Sequence, residues 1–432
     1  MSDGTQRTRR WFLKATSVGI AGIAGCTGGG GDGDGTNDSQ PQNQTDTNQN
    51  ETQPVENVTD TDQNETEMQE AENESETDDA AQEAPDVEDR WLSFQKNSSN
   101  SGYNPATQIP PKFPDEDWSV SVGNEVFGSP VVDDSVLYIG GTDGTVYGYS
   151  ATIGNEVWSV SLGDPVRGSP AVSDDGDHLY VGTVGGDLYA IDSSNGTPEW
   201  EFSTRDEIHT APAVYDGTVY IGSTDGRVYA VDAESGEEAW NSNQQYAVRV
   251  SPAVDESGVY TASDIGQVIS FTTDGSMRWG KSYEIEAAPT LGDDAVYIGS
   301  TDGSLYALSK DDGSELWSFE TGDEIHSSPA LADATVYFGS NDGNVYAVDA
   351  ESGEEIWSYG EGSEVRTSPA VTKDRLCFGS SDGNVYVISR EDASEVWSHN
   401  TRYGMRSSPA VVGERIYLGN QNGSVFSVTA NF

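Results

Sequence analysis

The chain has 432 residues, with 74 acidic against 21 basic side chains and a formal net charge of −53. Such a charge repels phosphate backbones, so nucleic-acid binding is excluded, and two cysteines, Cys26 and Cys377, are too few for a disulfide framework. Only six of the basic residues are lysine, which with the acidity points to a halophilic protein, because at molar salt the screening length falls to about 3 Å.

Residues 1–26 read as an address. Arg9 and Arg10 precede Trp11, Phe12, Leu13 and Lys14, a pattern that resembles the twin-arginine export signal. A Gly, Ala and Ile stretch too short to span a bilayer follows. It ends in Ile23, Ala24, Gly25 and Cys26, which resembles a lipobox with Cys26 as the lipid attachment. The expectation is export by the twin-arginine route and a lipid anchor on the outer face of the cytoplasmic membrane, at the cell surface. Cys377 is then the single cysteine of the folded domain, expected as a small buried apolar residue.

Residues 27–90 read as a stalk. From Thr27 to Asp89 there are 20 acidic residues, no basic ones and no apolar periodicity, so the segment cannot bury a core and is expected to be disordered. Six glycosylation sequons lie in it, at Asn37, Asn43, Asn50, Asn57, Asn64 and Asn73. As a flexible coil the stalk would span roughly 45 Å.

From residue 91 to 432 the chain repeats. Ser-Pro or Ala-Pro recurs with prolines at Pro130, Pro170, Pro212, Pro252, Pro289, Pro329, Pro369 and Pro409, at spacings of 37 to 42 residues. Each proline heads an apolar pair, a short turn, then a run such as VYIGSTDGRVYAVDA (219–233), whose alternating apolar residues flank an Asp-Gly hairpin turn. A second turn and a Trp-containing strand complete the unit. Four short strands repeated eight times predict an all-β fold, an eight-bladed β-propeller of four-stranded antiparallel blades.

The eight repeat tryptophans are Trp118, Trp158, Trp200, Trp240, Trp279, Trp317, Trp357 and Trp397, and the first precedes the first proline-headed strand. The last unit, 408–432, ends after three strands. The segment around Trp118 is therefore expected to supply the fourth strand of the last blade, with residues near 116–122 paired to residues near 424–430. Closure of this kind removes two open sheet edges.

The spacing Ala-x-Asp-x-x-(Thr/Ser)-Gly-x-x-x-Trp, complete at Ala347, Asp349, Ser352, Gly353 and Trp357 and at Ala230, Asp232, Ser235, Gly236 and Trp240, resembles the tryptophan-docking motif of pyrroloquinoline-quinone-type (PQQ-like) repeat propellers. The segment WLSFQKNSSNSGYNP (91–105) is similar to the preamble of many such proteins. The resemblance implies a fold, with the Trp ring packed between adjacent blades, and it leaves two functions open. One is a non-catalytic binding or scaffold module, similar to the BamB lipoproteins of outer-membrane assembly, needing no cofactor. The other is a quinoprotein dehydrogenase of alcohols or sugars, which would bring PQQ with calcium. Blades this short, no vicinal cysteine pair and four dispersed histidines (His178, His209, His326, His399) without metal-ligand spacing favour the first. On that reading the module is a monomer that presents a propeller face to a protein or a small anionic ligand, and meets the membrane only through its lipid.

One position carries a candidate site. Three residues before each repeat proline stand Phe127, Arg167, His209, Arg249, Glu286, His326, Arg366 and Arg406, and the residue before each of these is apolar (Val126, Val166, Ile208, Val248, Ile285, Ile325, Val365, Met405). Four arginines share this position where chance would give roughly 0.4 basic residues. Alternation sends the apolar set between blades and the other set towards one mouth of the central channel. Two roles stay open for the arginines. They either pair with hairpin aspartates such as Asp143, Asp225 or Asp382, or form an electropositive mouth for a carboxylate-bearing ligand or a partner's acidic loop.

Overall fold

The Asp-Gly dipeptides set the blade. In the first hairpin Gly144 takes a φ of 83°, which only glycine adopts without strain, while the Asp143 carboxylate accepts the Thr145 amide at 2.9 Å. The flanking runs pair antiparallel, Val136–Gly140 with Thr145–Ser150, and the turn after them feeds the Trp strand Glu156–Ser161. The innermost strand, Val131–Asp133, has three residues because it follows the proline and ends at a tight turn. Leu137, Ile139 and Val146 are fully buried, whereas the outer Trp strand is largely exposed. This gradient follows from apolar runs in the inner strands and polar alternation in the outer one.

The computed structural model describes residues 89–429, apart from Pro110, 112–114, Asn124, Asp134 and Glu361. Cys26 and the six sequon asparagines lie outside the described residues. Within them the blade recurs eight times, numbered here 1 to 8 along the chain. The innermost strands of successive blades touch in a closed circle, the last against the first, so they line the axis. Hydrophobic clusters fill the layers between neighbouring blades. Cys377 is one of these buried residues, and burial pushes its thiol well above the ordinary range.

The expected closure is present. Asp115–Ser121 pairs with Ser424–Thr429, with Trp118 opposite Ser427, and completes blade 8. The tryptophans dock forwards. The Trp158 indole N–H donates to the Ser193 carbonyl of the next blade at 2.8 Å, Trp200 to Ala233 at 3.1 Å and Trp317 to Ala350 at 3.0 Å. Each ring lies on the turn glycine of that next blade. A Cβ on Gly353, at φ +73°, would come within 2.7 Å of Trp317. The Gly of each motif thus receives the tryptophan of the preceding repeat. The motif Asp holds the turn, as where Asp349 accepts both the Ser352 amide and its hydroxyl at 2.8 Å.

The preamble makes a circuit of the axis. Trp91 exchanges backbone hydrogen bonds with Val132 of blade 1, and the Leu92 carbonyl accepts from Val172 of blade 2. The Ser98, Ser99, Ser101 and Gly102 carbonyls then accept from Val254, Leu291, Leu331 and Val371 of blades 4 to 7. Tyr103–Asn104 adds a short parallel strand to blade 7, and the Asn104 side chain donates to Val411 of blade 8 at 2.9 Å. Its inward side chains, including Trp91, Gln95, Asn100 and Asn104, are buried. The segment closes one end of the central channel and leaves the other open.

Candidate functional site: the open mouth of the channel

The eight residues that stand three before the prolines all line one cavity of about 200 Å³ at the open end of the bore. They sit in the loop leading into each innermost strand, not on the strand itself. Hydrogen bonds repeated round the ring hold that loop. The Val166 amide donates to Gly141, Ile208 to Thr183, Val248 to Ser223 and Val365 to Ser340, each in the hairpin of the preceding blade. The neighbouring apolar set is buried between blades, where Val166 packs on Gly140 and Ile208 on Gly182 so closely that a Cβ there would clash.

The arginines do not pair with the hairpin aspartates. Asp143 takes the Tyr147 hydroxyl at 2.6 Å, and burial together with this bond pushes that phenol up to about 12. Asp225 holds the Tyr229 hydroxyl at 2.5 Å and Asp382 holds that of Tyr386 at 2.9 Å. The reason is reach: each aspartate is committed to its own hairpin, four residues before its tyrosine. Of the ring arginines, Arg366 meets Glu364 at 3.0 Å, within its own loop. Arg167 lies over the Phe127 ring at 5.5 Å. Arg249 and Arg406, both exposed, have no carboxylate within ion-pairing distance among the described residues. The histidines differ. His209 meets Glu207 at 2.5 Å, and His326 lies between Glu324 at 2.8 Å and Glu286 at 3.1 Å.

Beneath the ring lies a second one that the sequence reading did not single out. The residue before each proline is Ser129, Ser169, Ala211, Ser251, Ala288, Ser328, Ser368 or Ser408. Each serine oxygen accepts the amide N–H of the equivalent residue one blade earlier. Ser169 accepts from Ser129 at 2.7 Å, and Ser251 from Ala211 at 2.9 Å. Ser328 accepts from Ala288 at 2.8 Å, then Ser368 from Ser328 and Ser408 from Ser368 at 3.0 Å. Ser129 closes the circle by accepting from Ser408 at 3.0 Å. The Ser-Pro dipeptide was the available signal, but its hydroxyl's partner lies forty residues away. Phe94 of the preamble lines the cavity from below.

Calcium takes about six to eight oxygen ligands, and the lining offers one carboxylate, Glu286, already facing His326. No group of three or more His, Cys, Asp or Glu among the described residues could hold a metal ion. The donors present do not fit a quinone–calcium pair.

Three solved structures share this architecture. BamB from Moraxella catarrhalis aligns with a TM-score of 0.64 at 20% identity, covering 74% of this chain and 100% of that one. The computationally designed Ika8 protein aligns with a TM-score of 0.64 at 17% identity, over 72% and 99%. Quinohemoprotein alcohol dehydrogenase from Comamonas testosteroni reaches a TM-score of 0.66 at 15% identity, over 79% and 80%. At these identities the likeness shows the fold alone. No curated protein matches the chain. The family model for outer membrane protein assembly factor BamB matches residues 115–165, 142–282, 246–359 and 301–431, and the chain accordingly belongs to that family of PQQ-like repeat propellers.

Proposed function

We propose that the protein is a non-catalytic binding module that acts from the cell surface of a halophilic archaeon as a monomer. The twin-arginine signal exports it folded, Cys26 carries the lipid that anchors it to the outer face of the cytoplasmic membrane, and the glycosylated stalk holds the propeller off that surface. Its partner is a protein or small ligand that offers negative charge to the open mouth. One observation carries this: four arginines meet at one mouth of a domain whose residues 91–432 hold 53 acidic against 16 basic side chains, and three of the four, Arg167, Arg249 and Arg406, have no carboxylate partner among the described residues. Exposed guanidinium groups without a carboxylate keep their N–H donors available to an incoming acceptor, and charge-assisted bonds of this kind are strong. The family's description as an outer membrane protein assembly factor supports a protein partner.

Affinity capture from native membranes in molar KCl tests it, with the wild-type chain against an Arg366→Gln, Arg406→Gln double variant. A species retained by the wild type and lost by the variant, at equal melting midpoints, is the expected result. Cys26→Ser should release the chain from membranes. Dye reduction on adding PQQ, calcium and an alcohol or aldose would overturn the non-catalytic assignment.

A further inference from the structure

We propose that the bore is a socket for a single carboxylate group carried on a short apolar body, a ligand class that rests on the binding role above. Each of the six ring serines uses an oxygen lone pair on a neighbouring amide, and each keeps its O–H proton. None of those protons has an acceptor among the described residues. Ser129, Ser169, Ser328, Ser368 and Ser408 are between 3% and 6% exposed, and all line the cavity. A buried donor without an acceptor is unfavourable, and a circle of them facing one space favours a ligand that brings oxygens and no competing protons.

The wall is two-sided. Blades 6, 7, 8, 1 and 2 contribute the contiguous serines Ser328, Ser368, Ser408, Ser129 and Ser169, with Arg366, Arg406 and Arg167 above them. Blades 3 to 5 contribute Ala211 and Ala288 at the same position, Val250 and Ala287 one residue before it, and a single hydroxyl, Ser251, with Glu286 at the mouth above them, and Phe94 closes the floor. An acid lying across the bore thus sets its carboxylate against arginine and hydroxyl donors and its carbon body against alanine, valine and phenylalanine. The volume of about 200 Å³ is that of about six or seven waters, enough for a short-chain acid or for the last residue of a polypeptide. Taking a multiply charged anion out of water into so narrow a bore costs more than taking a singly charged one, which favours carboxylate over phosphate.

A free short-chain acid and the C-terminal carboxylate of a threaded polypeptide present the same group, and separate arms distinguish them. The full chain in molar KCl is titrated with carbonyl-labelled butyrate, with a short apolar peptide bearing a free C-terminus, with the same peptide amidated, and with inorganic phosphate, each followed by NMR. Saturable binding is expected for butyrate, for the free-acid peptide or for both, with neither the amide nor phosphate binding comparably. The Arg366→Gln, Arg406→Gln variant should bind at least about tenfold more weakly, since hydrogen bonds to a charged group are worth that factor or more. Ala288→Leu keeps every arginine and fills the apolar wall, and should weaken binding by a similar factor. A melting scan of each variant separates lost binding from lost fold. No saturable binding by either acid, equal binding of phosphate, or undiminished binding by the arginine variant would overturn the socket. If a partner is still captured through the arginines while neither acid binds, the socket alone falls and the binding role stands.

Discussion

The serine circle is incomplete, and completing it should stabilise the propeller. At blades 3 and 5 the position before the proline is Ala211 and Ala288, so the amides of Ser169 and Ser251 have no hydroxyl opposite them and no hydrogen-bond acceptor among the described residues. Ser169 is 4% exposed, which leaves its N–H poorly reached by solvent. Replacing Ala211 by Ser adds one neutral hydrogen bond to a buried amide, worth about 1 kcal/mol, and serine fits wherever six other blades already carry it. Ala288→Ser should contribute about the same, and the two sites share no partner, so the effects should add. In a domain of this size about 1 kcal/mol moves the melting midpoint by roughly 2 °C. The opposite change, Ser368→Ala, leaves the Ser328 amide without its 3.0 Å acceptor and should cost about 1–3 kcal/mol. Urea denaturation at fixed molar KCl measures all three. Alanine-to-serine variants that unfold at or below the wild-type midpoint, beside an unchanged Ser368→Ala, would show that the hydroxyl circle does not hold the blades together.

Other positions give equally direct expectations. Gly353→Ala forces a side chain into a left-handed turn 2.7 Å from the Trp317 ring and should cost about 2 kcal/mol or more, read from the urea midpoint. Blade 7 already has Ala393 at this turn position, at φ +56°, so Ala393→Gly should be neutral or stabilising by up to about 1 kcal/mol. The turn carboxylates of Asp192, Asp232 and Asp349 are held below the ordinary 3.8, chiefly by hydroxyl hydrogen bonds from Ser194, Ser235 and Ser352. A depressed folded value stabilises above the unfolded one and is lost as pH falls through it. The melting midpoint should therefore hold near neutrality and drop below about pH 4, less steeply for an Asp232→Asn, Asp349→Asn variant. The excess of 53 acidic over 16 basic residues from 91 to 432 should make the midpoint fall markedly as KCl drops below molar concentration, and equal midpoints at low and high salt would refute the halophile assignment.

The propeller was legible because its signals are local and repeated. A hairpin declares itself in four residues, and eight prolines at near-constant spacing count the blades. The displaced Trp118 segment was legible too, since a strand without a blade and a blade without a strand have one economical solution. The mouth is legible in the position shared by all eight repeats, which specifies where the residues converge and not what they pair with. Of the two roles open to the arginines, pairing with the hairpin aspartates is not the one the structure has, because Asp143, Asp225 and Asp382 hold their own tyrosines. The forward docking of each tryptophan, onto the glycine of the following motif, is a relation between repeats that spacing within one repeat cannot show. The floor was illegible for a different reason. Residues 91–104 have no periodicity, and their carbonyls find partners on six blades, with the Asn104 side chain reaching a seventh, scattered from Val132 to Val411.

That floor also decides how the molecule bears load. Chain N-terminal to Asp89 can transmit a pull only through a strap whose backbone is bonded in turn to blades 1, 2, 4, 5, 6 and 7 and whose Asn104 side chain reaches blade 8. Asp89 itself accepts from the Gly413 amide and from Asn104, at 2.9 and 3.0 Å, so the strap's first residue is tied back to where its circuit ends. Tension is thereby shared round the whole rim before it reaches the closing strand at Trp118, the one segment whose loss would reopen the ring. Because the strap occupies the end opposite the arginines, a load borne by it is spread through the inner strands before it can disturb the mouth.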